Sequence, residues 1–414
     1  MIRDDAKVIG ELAKRYADLA ALPENGEREA RIRRVNGLKP ERPPVWINEI
    51  PWNEMDIDNK LVLRCEDTDA RRIEDFLRKN LFRWEYFRAD MVLPRAVPVC
   101  KAMSDTGCGL SADESTIAFD PRNHIVSHEY HDQLDNDAKL DALTCPVISA
   151  DPDADARNLS KARELLGDAL PAELKGYLVY HAPWDQICVF RGVTPVLTDL
   201  AERPDFMHRT IARFTGFYTA RTEAMEKLGL LEARPSDIHC TPPFTDDLPG
   251  AGHAGGPAKL SEVWFRGMAQ LFGSISPDMH EEFDLAYMRG LMGRCGLSYY
   301  GCCEALDRFI PRLKTVANMR KIGVSPWADE ISCAEQIGAD YVYSKKPNPA
   351  LVAGSFDARA VRDETRRTAE ACLRNGCPYE MVLKDISTVT YKPQNLIAWN
   401  DTVRETLDEF YGRG

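Results

Sequence analysis

No run of apolar residues in this 414-residue chain approaches the roughly 20 that a membrane-spanning helix needs. Basic charge is scarce too: 53 Lys and Arg stand against 65 Asp and Glu, a formal charge of −12. Binding to phosphate backbones rests on clustered cations. Here the basic stretches, such as Arg31–Arg34 and Arg362–Arg367, are brief and interrupted, which argues against a general nucleic-acid binder. No Walker A sequence, internal repeat or low-complexity tract occurs. The opening MIRDDAKVIGELAKRYADL carries acids and no apolar signal-peptide core, which predicts a cytoplasmic protein.

What is present is the mix of an ordinary globular protein, 44% hydrophobic and 29% charged, with length enough for a core that needs no covalent staples. Twelve cysteines are expected to stay thiols in that setting, most of them as buried filler. Residues 4–36 read as one or two helices, and Val45–Ile47 as a short strand after a proline cluster. Met91–Val99 reads as extended, and 100–160, irregular and His-rich, as an insertion or lid. Further strands are expected at Gly176–His181, at Ile238–Cys240, over 297–303, at Lys321–Val324, Tyr341–Ser344 and Met381–Leu383. Helices are expected at Leu260–Phe272, Glu330–Ile337, Asp357–Asn375 and Asn395–Tyr411. Short strands alternating with helices imply a parallel sheet with crossover helices, and this length suits a (β/α)8 TIM barrel. The expected α/β organisation is a helical extension over 1–40 and a barrel over 41–414.

In a barrel the reactive groups gather where strands end. Cys302, Cys303 and Glu304 follow the 297–301 strand, and strand alternation predicts that only one of the two thiols faces the cavity. His239 and Cys240 end another strand ahead of the Gly-rich loop DDLPGAGHAGGPAK, and together these two segments offer N and S ligands for zinc. His124, His128 and His131 lack the HExxH spacing and read as a solvated face. Glu49 and Glu54 flank Trp52 after the first strand, and Trp184 and Asp185 repeat that pairing of an aromatic with an acid. Acids there suit acid–base work, and aromatics beside them suit a flat or cationic ligand; packing at the rim is the plainer alternative for each.

Three stretches carry a resemblance: GLSYYGCCEALDRFI, MRKIGVSPWADEISCAEQIGADYVYSKKPNPALV and YEMVLKDISTVTYKPQNLIAW. Their order, with Pro347-Asn348-Pro349-Ala350-Leu351 and the Asn395-led last helix, resembles the closing strands of the uroporphyrinogen decarboxylase superfamily. RPPVWINEIPWNEM sits where that superfamily has its first strand. The chain departs from both of its known chemistries. The Arg-rich, carboxylate-binding loop of the decarboxylases is here the acidic Asn48–Glu54, and their late Gly-His is missing from the matching stretch Asp385-Ile386-Ser387-Thr388. The corrinoid-linked methyltransferases hold zinc with a His-x-Cys pair and a later Cys. Here the pair reads Tyr300-Gly301-Cys302 and the later Cys falls near Ser387.

The resemblance therefore implies a methyltransferase whose zinc set is rebuilt from His239, Cys240, Cys302 and Cys303. Glu304, Glu49 or Glu54 would serve as the acid, and Trp52, Trp184, Asp185 and Tyr300 would bind substrate. The implied reaction moves a methyl group from a small methoxy or methylamine compound to a corrinoid. The chain has no Asp-x-His-x-x-Gly sequence, so the corrinoid would ride on a partner protein. A metal-free decarboxylase or lyase, a non-catalytic tetrapyrrole-binding subunit, and a homodimer all remain open at this level.

Overall fold

The computed structural model describes residues 2–412 apart from Arg88, Phe119, His124 and Ala254. Its organising element is a seven-stranded, wholly parallel sheet: β1 (Val45–Ile47), β2 (Val179–His181), β3 (Trp264–Gly267), β4 (Leu297–Tyr300), β5 (Met319–Val324), β6 (Val342–Lys345) and β7 (Tyr379–Leu383). The spatial order is β1-β7-β6-β5-β4-β3-β2, so the first strand lies beside the last. That is the order of a barrel with one strand missing between β1 and β2. At this seam Asp90 N donates to the Val45 carbonyl and Val45 N donates to the Asp90 carboxylate, both at 2.8 Å, but no eighth strand pairs among the described residues. Seven parallel strands in barrel order are thus present, and a closed eight-stranded barrel is not shown.

Sequence and structure differ at three further places. Leu260–Phe272 is not a helix: it contains β3, flanked by 3-10 turns at Leu260–Glu262 and Gln270–Ser274. A four-residue buried strand inside an apolar stretch has no periodicity that separates it from a helix. Of Met91–Val99 only Val97–Cys100 forms a strand, and it pairs with Ala172–Lys175 outside the main sheet. Ile238–Cys240 is a turn, closed by Ile238 and Thr241. The 100–160 region holds two small antiparallel ribbons and a short helix; the tip of the 114–130 hairpin rests on Ser387 and Tyr391 through Asn123 and Asp120. The stretch Gly250–Gly255 spells G-x-G-x-x-G, yet it leads into a 3-10 turn where a dinucleotide cradle would need a helix.

The N-terminal helices Ile2–Ala20 and Pro23–Asn36 pack differently. Ile9, Ala13 and Tyr16 of the first bury against Leu77, Leu81 and Leu165. Asn36 of the second donates to the carbonyls of Pro242 and Phe244, closing the end of the sheet where β5 begins. No helix is long and apolar enough to cross a membrane among the described residues, and all twelve cysteines are free thiols.

The two sheet faces carry different chemistry. The outer face buries Ile322, Tyr343, Met381 and Leu383 beneath the flanking helices. The inner face carries Arg266, Tyr299, Lys321, Ser344 and Glu380, all buried. The irregular segment 239–244 lies against that inner face, and its carbonyls need donors because no sheet ladder satisfies them. Arg266 supplies the His239 carbonyl, Lys346 that of Cys240, Lys321 that of Pro242 and the Trp264 indole that of Pro243. Lys321 also forms a buried ion pair with Glu380 at 2.8 Å, and Thr241 and Ser344 each donate to that carboxylate at 2.6 Å.

Candidate metal centre

All seven strands run the same way, so Asn48-Glu49, Gly301–Glu304 and Lys384-Asp385 emerge at one end of the sheet. Segment 239–244 begins at the same end and brings His239 and Cys240 to them. The three atoms His239 Nε2, Cys240 Sγ and Cys302 Sγ meet there: Cys302 Sγ is 3.7 Å from His239 Nε2 and 3.9 Å from Cys240 Sγ. A tetrahedral zinc, with Zn–S near 2.3 Å and Zn–N near 2.0–2.1 Å, spaces its ligand atoms about 3.6–3.8 Å apart. The donor types suit that ion and the two spacings from Cys302 are near its span, the third pair lying within 4.8 Å; three protein donors would leave a fourth position open. Glu49 Oε1 lies 3.1 Å from His239 Nδ1, the carboxylate–imidazole contact that fixes a ligating histidine with Nε2 forward.

Backbone strain gathers here. Non-glycine residues with positive φ include Glu49 (52°), Cys240 (68°) and Asp385 (55°), one on each of three segments lining the cluster. Such conformations cost free energy and persist where the surroundings hold them, commonly at functional sites. Gly301, at φ 107°, turns the chain after β4; a Cβ there would meet Leu306 Cδ1 at 2.5 Å and the Gly323 backbone at 3.2 Å. That turn breaks strand alternation, so both Cys302 and Cys303 face the same cavity, their sulfurs 3.7 Å apart. The expectation that one thiol points into the shell is corrected accordingly.

Charge is arranged around one thiolate. The Cys302 thiol is held well below its ordinary range by hydrogen bonds from Cys240 and Cys303, then His239, with the Arg266 charge adding to them against the cost of burial. Burial pushes Cys240 up. Cys303 is pushed up by its contact with Cys302 and by burial, and it donates to Asp385 Oδ2 at 2.9 Å. The Lys384 ammonium lies 3.0 Å from Cys302 Sγ and 3.1 Å from Cys303 Sγ, and it also pairs with Asp385. Burial alone would lower that ammonium, but the neighbouring sulfurs, Cys302 first, hold it above its usual value.

The other sequence candidates are placed as follows. Glu304 is buried beneath the cluster, accepting from Cys302 N at 2.8 Å and Ala269 N at 3.3 Å, and burial raises its carboxyl to about 7. Glu54 accepts from Thr388 Oγ1 and the amides of Val389 and Tyr391, tying down the loop after β7. Trp52 packs edge-on to Phe82 on the rim. Trp184 is fully buried, its indole donating to the Phe283 carbonyl, away from any cavity mouth. Asp185 binds Gln270 and is raised by burial. Tyr300 is on the outer face, where its hydroxyl donates to Asp284 at 2.6 Å and meets His280 Nε2 at 2.6 Å. His128 and His131 are exposed on the hairpin, each against its own carboxylate, and His124 lies outside the described residues.

Sequence reading missed Lys384, Asp385 and Arg266 as members of the site. The available signal was positional: a Lys-Asp pair directly after a buried strand, and a lone Arg inside an apolar one.

No family model matches this chain, and no curated protein matches it. Among solved structures, a methyltransferase from Methanosarcina mazei is similar in fold: it aligns over 93% of this chain and 99% of its own, with a TM-score of 0.50 and 12% identity. At that identity the likeness concerns the fold alone.

Proposed function

We propose that this chain is a methyltransferase that moves a methyl group from a small methoxy or methylamine donor to a corrinoid carried by a separate protein, assisted by zinc on His239, Cys240 and Cys302. The observation that carries the reading is the convergence of those three donors, with spacing suited to tetrahedral zinc, at the end of a parallel sheet where such folds act. The fold shared with a methyltransferase is consistent with it. Zinc held there would supply Lewis-acid activation to the methyl-bearing oxygen or nitrogen. The chain's own residues do the rest. Glu49 orients His239, while Lys384 and Arg266 balance the thiolate charge. The leaving heteroatom keeps the bonding pair and needs a proton. All three carboxylates accept backbone amides, Glu49 from Asp385 N at 2.8 Å, but Glu49 is partly exposed where Glu304 and Glu54 are buried, so it is the better placed to pass a proton. A partner corrinoid domain would dock at the same end of the sheet.

The test is zinc content of protein purified without chelator, for wild type, Cys240→Ala and Cys302→Ala. It is followed by the optical conversion of cob(I)alamin to methylcobalamin with methoxy and methylamine donors. Stoichiometric zinc in the wild type, lost in both variants, together with donor-dependent methylation, is the expected result. A metal-free, inactive wild type overturns the reading. One observation favours a second, metal-free reading: the Lys384 ammonium touches both sulfurs and neutralises thiolate charge without an ion. Turnover of a small carboxylic acid by zinc-free protein would establish that lyase chemistry instead.

A further inference from the structure

Beside β1 lies a cavity of about 280 Å³. Trp46 of β1 and Trp52 form aromatic walls, Met91 and Val92 an apolar one, and Arg83 and Asp237 face into it. Arg83 belongs to the helix Thr68–Tyr86, and its guanidinium lies 5.5 Å from the Trp52 ring centroid. Its Nε is sealed from solvent and has no hydrogen-bond partner among the described residues. Lys79, the other cation over Trp52, is already paired with Asp75 at 2.7 Å. Burial pulls the Arg83 guanidinium below its ordinary range, and the charge of Asp237 offsets only part of that cost.

A buried polar group without a partner is expensive, and a buried cation more so. An anion entering this cavity would meet the terminal nitrogens of the fork, which, unlike Nε, are not sealed. Asp237 receives two hydrogen bonds from Asn48, at 3.2 and 3.3 Å, so its carboxylate is engaged from the other wall. Glu49, next to Asn48, holds His239, and Asp237 itself is two residues from His239, a span of at most about 7 Å of extended chain. Asp237 and its partner Asn48 thus link the cavity wall to the residues that hold His239.

We infer that this cavity binds the carboxylate of a small, flat organic acid, with Arg83 gripping the carboxylate and Trp46 and Trp52 stacking against the body of the molecule. A planar guanidinium fork matches a carboxylate in two parallel hydrogen bonds, and paired indoles favour a flat apolar remainder. As the substrate pocket of the methyl transfer, this inference rests on the function proposed above; as a carboxylate site it stands alone.

The test uses benzoate, its neutral isostere benzamide and inorganic phosphate as probes on the full chain, read by tryptophan fluorescence and by calorimetry, with zinc content measured on the same samples. Benzoate is expected to bind at least tenfold more tightly than benzamide or phosphate. Arg83→Gln should weaken benzoate at least tenfold, with zinc content and circular dichroism unchanged, and Arg83→Lys should recover only part of the loss. If Arg83→Gln does not fold, Trp52→Ala takes its place and should weaken benzoate while sparing the zinc. Equal binding of benzoate and benzamide, tighter binding of phosphate, no binding, or full affinity in Arg83→Gln each overturns the inference. Zinc-loaded protein that ignores benzoate fails the pocket and leaves the proposed function standing. Zinc-free protein that binds benzoate through Arg83 does the reverse.

Discussion

Around β2 to β4 the inner and outer faces of the one parallel sheet bury polar groups by opposite means. On the inner face charges are kept and matched: Lys321 with Glu380, Arg266 and Lys346 with carbonyls of 239–240, Lys384 with thiolate and carboxylate. On the outer face beside β2 to β4 ionisable groups are kept neutral, whereas Lys345 of β6 keeps its charge against Glu330 and Glu364. His181 packs between Tyr218 and Phe265 and burial drops it to about 3; His280 falls to about 4, and Asp284 beside it is raised by burial. The difference follows from what each face touches. The outer face meets helices whose backbones are already satisfied, while the inner face meets an irregular segment whose carbonyls require donors.

The largest effect should come from breaking the inner pairing. Glu380→Gln or Lys321→Met leaves one buried charge unmatched and is expected to cost about 3–5 kcal/mol, read as a fall in the urea midpoint. A loss below about 1 kcal/mol would show that the inner face is wetter than described. Next comes Glu49→Gln, which removes the carboxylate behind His239. Zinc affinity in a competitive chelator titration should fall about 10–100-fold, with little change in folding stability.

The outer face is sharpened by pH. His181 is neutral in the folded chain down to about pH 3, whereas the unfolded chain protonates it near 6.5. Between those values the unfolded state binds the extra proton, so stability is lost as pH falls through that window, by about 1.4 kcal/mol per unit from this group. His181→Gln should flatten the slope of urea midpoints between pH 6.5 and 4; an unchanged slope would mean that His181 is protonated in place. The smallest effect is expected away from both faces. His128→Ala, on the exposed hairpin against Glu114, should move stability by less than about 0.5 kcal/mol.

The regular half of the molecule was legible from sequence because its short apolar runs stand between caps and glycines. The strands expected at Lys321–Val324, Tyr341–Ser344 and Met381–Leu383 fall within a residue or two of β5, β6 and β7. β3 escaped because Trp264–Gly267 sits among other apolar residues, where strand and helix cannot be told apart by period. The unpaired eighth strand escaped for a different reason: strand pairing is decided by tertiary geometry, here by Asp90, which bonds to Val45 through both its amide and its side chain. His239, Cys240 and Cys302 were readable as ligand types at element ends. Their cation partners were not, because a lysine in a strand reads as solvent-facing until the inner face is known to be polar. The thiol parity was wrong for one local cause, the left-handed Gly301.

The most direct test of the central claim is zinc K-edge X-ray absorption on the purified chain. Three protein donors, two sulfurs near 2.3 Å and one imidazole nitrogen near 2.0–2.1 Å, with a light atom completing four-coordination, are the predicted result. Absence of zinc, or a shell of three sulfurs that brings in Cys303, would contradict the His239–Cys240–Cys302 centre.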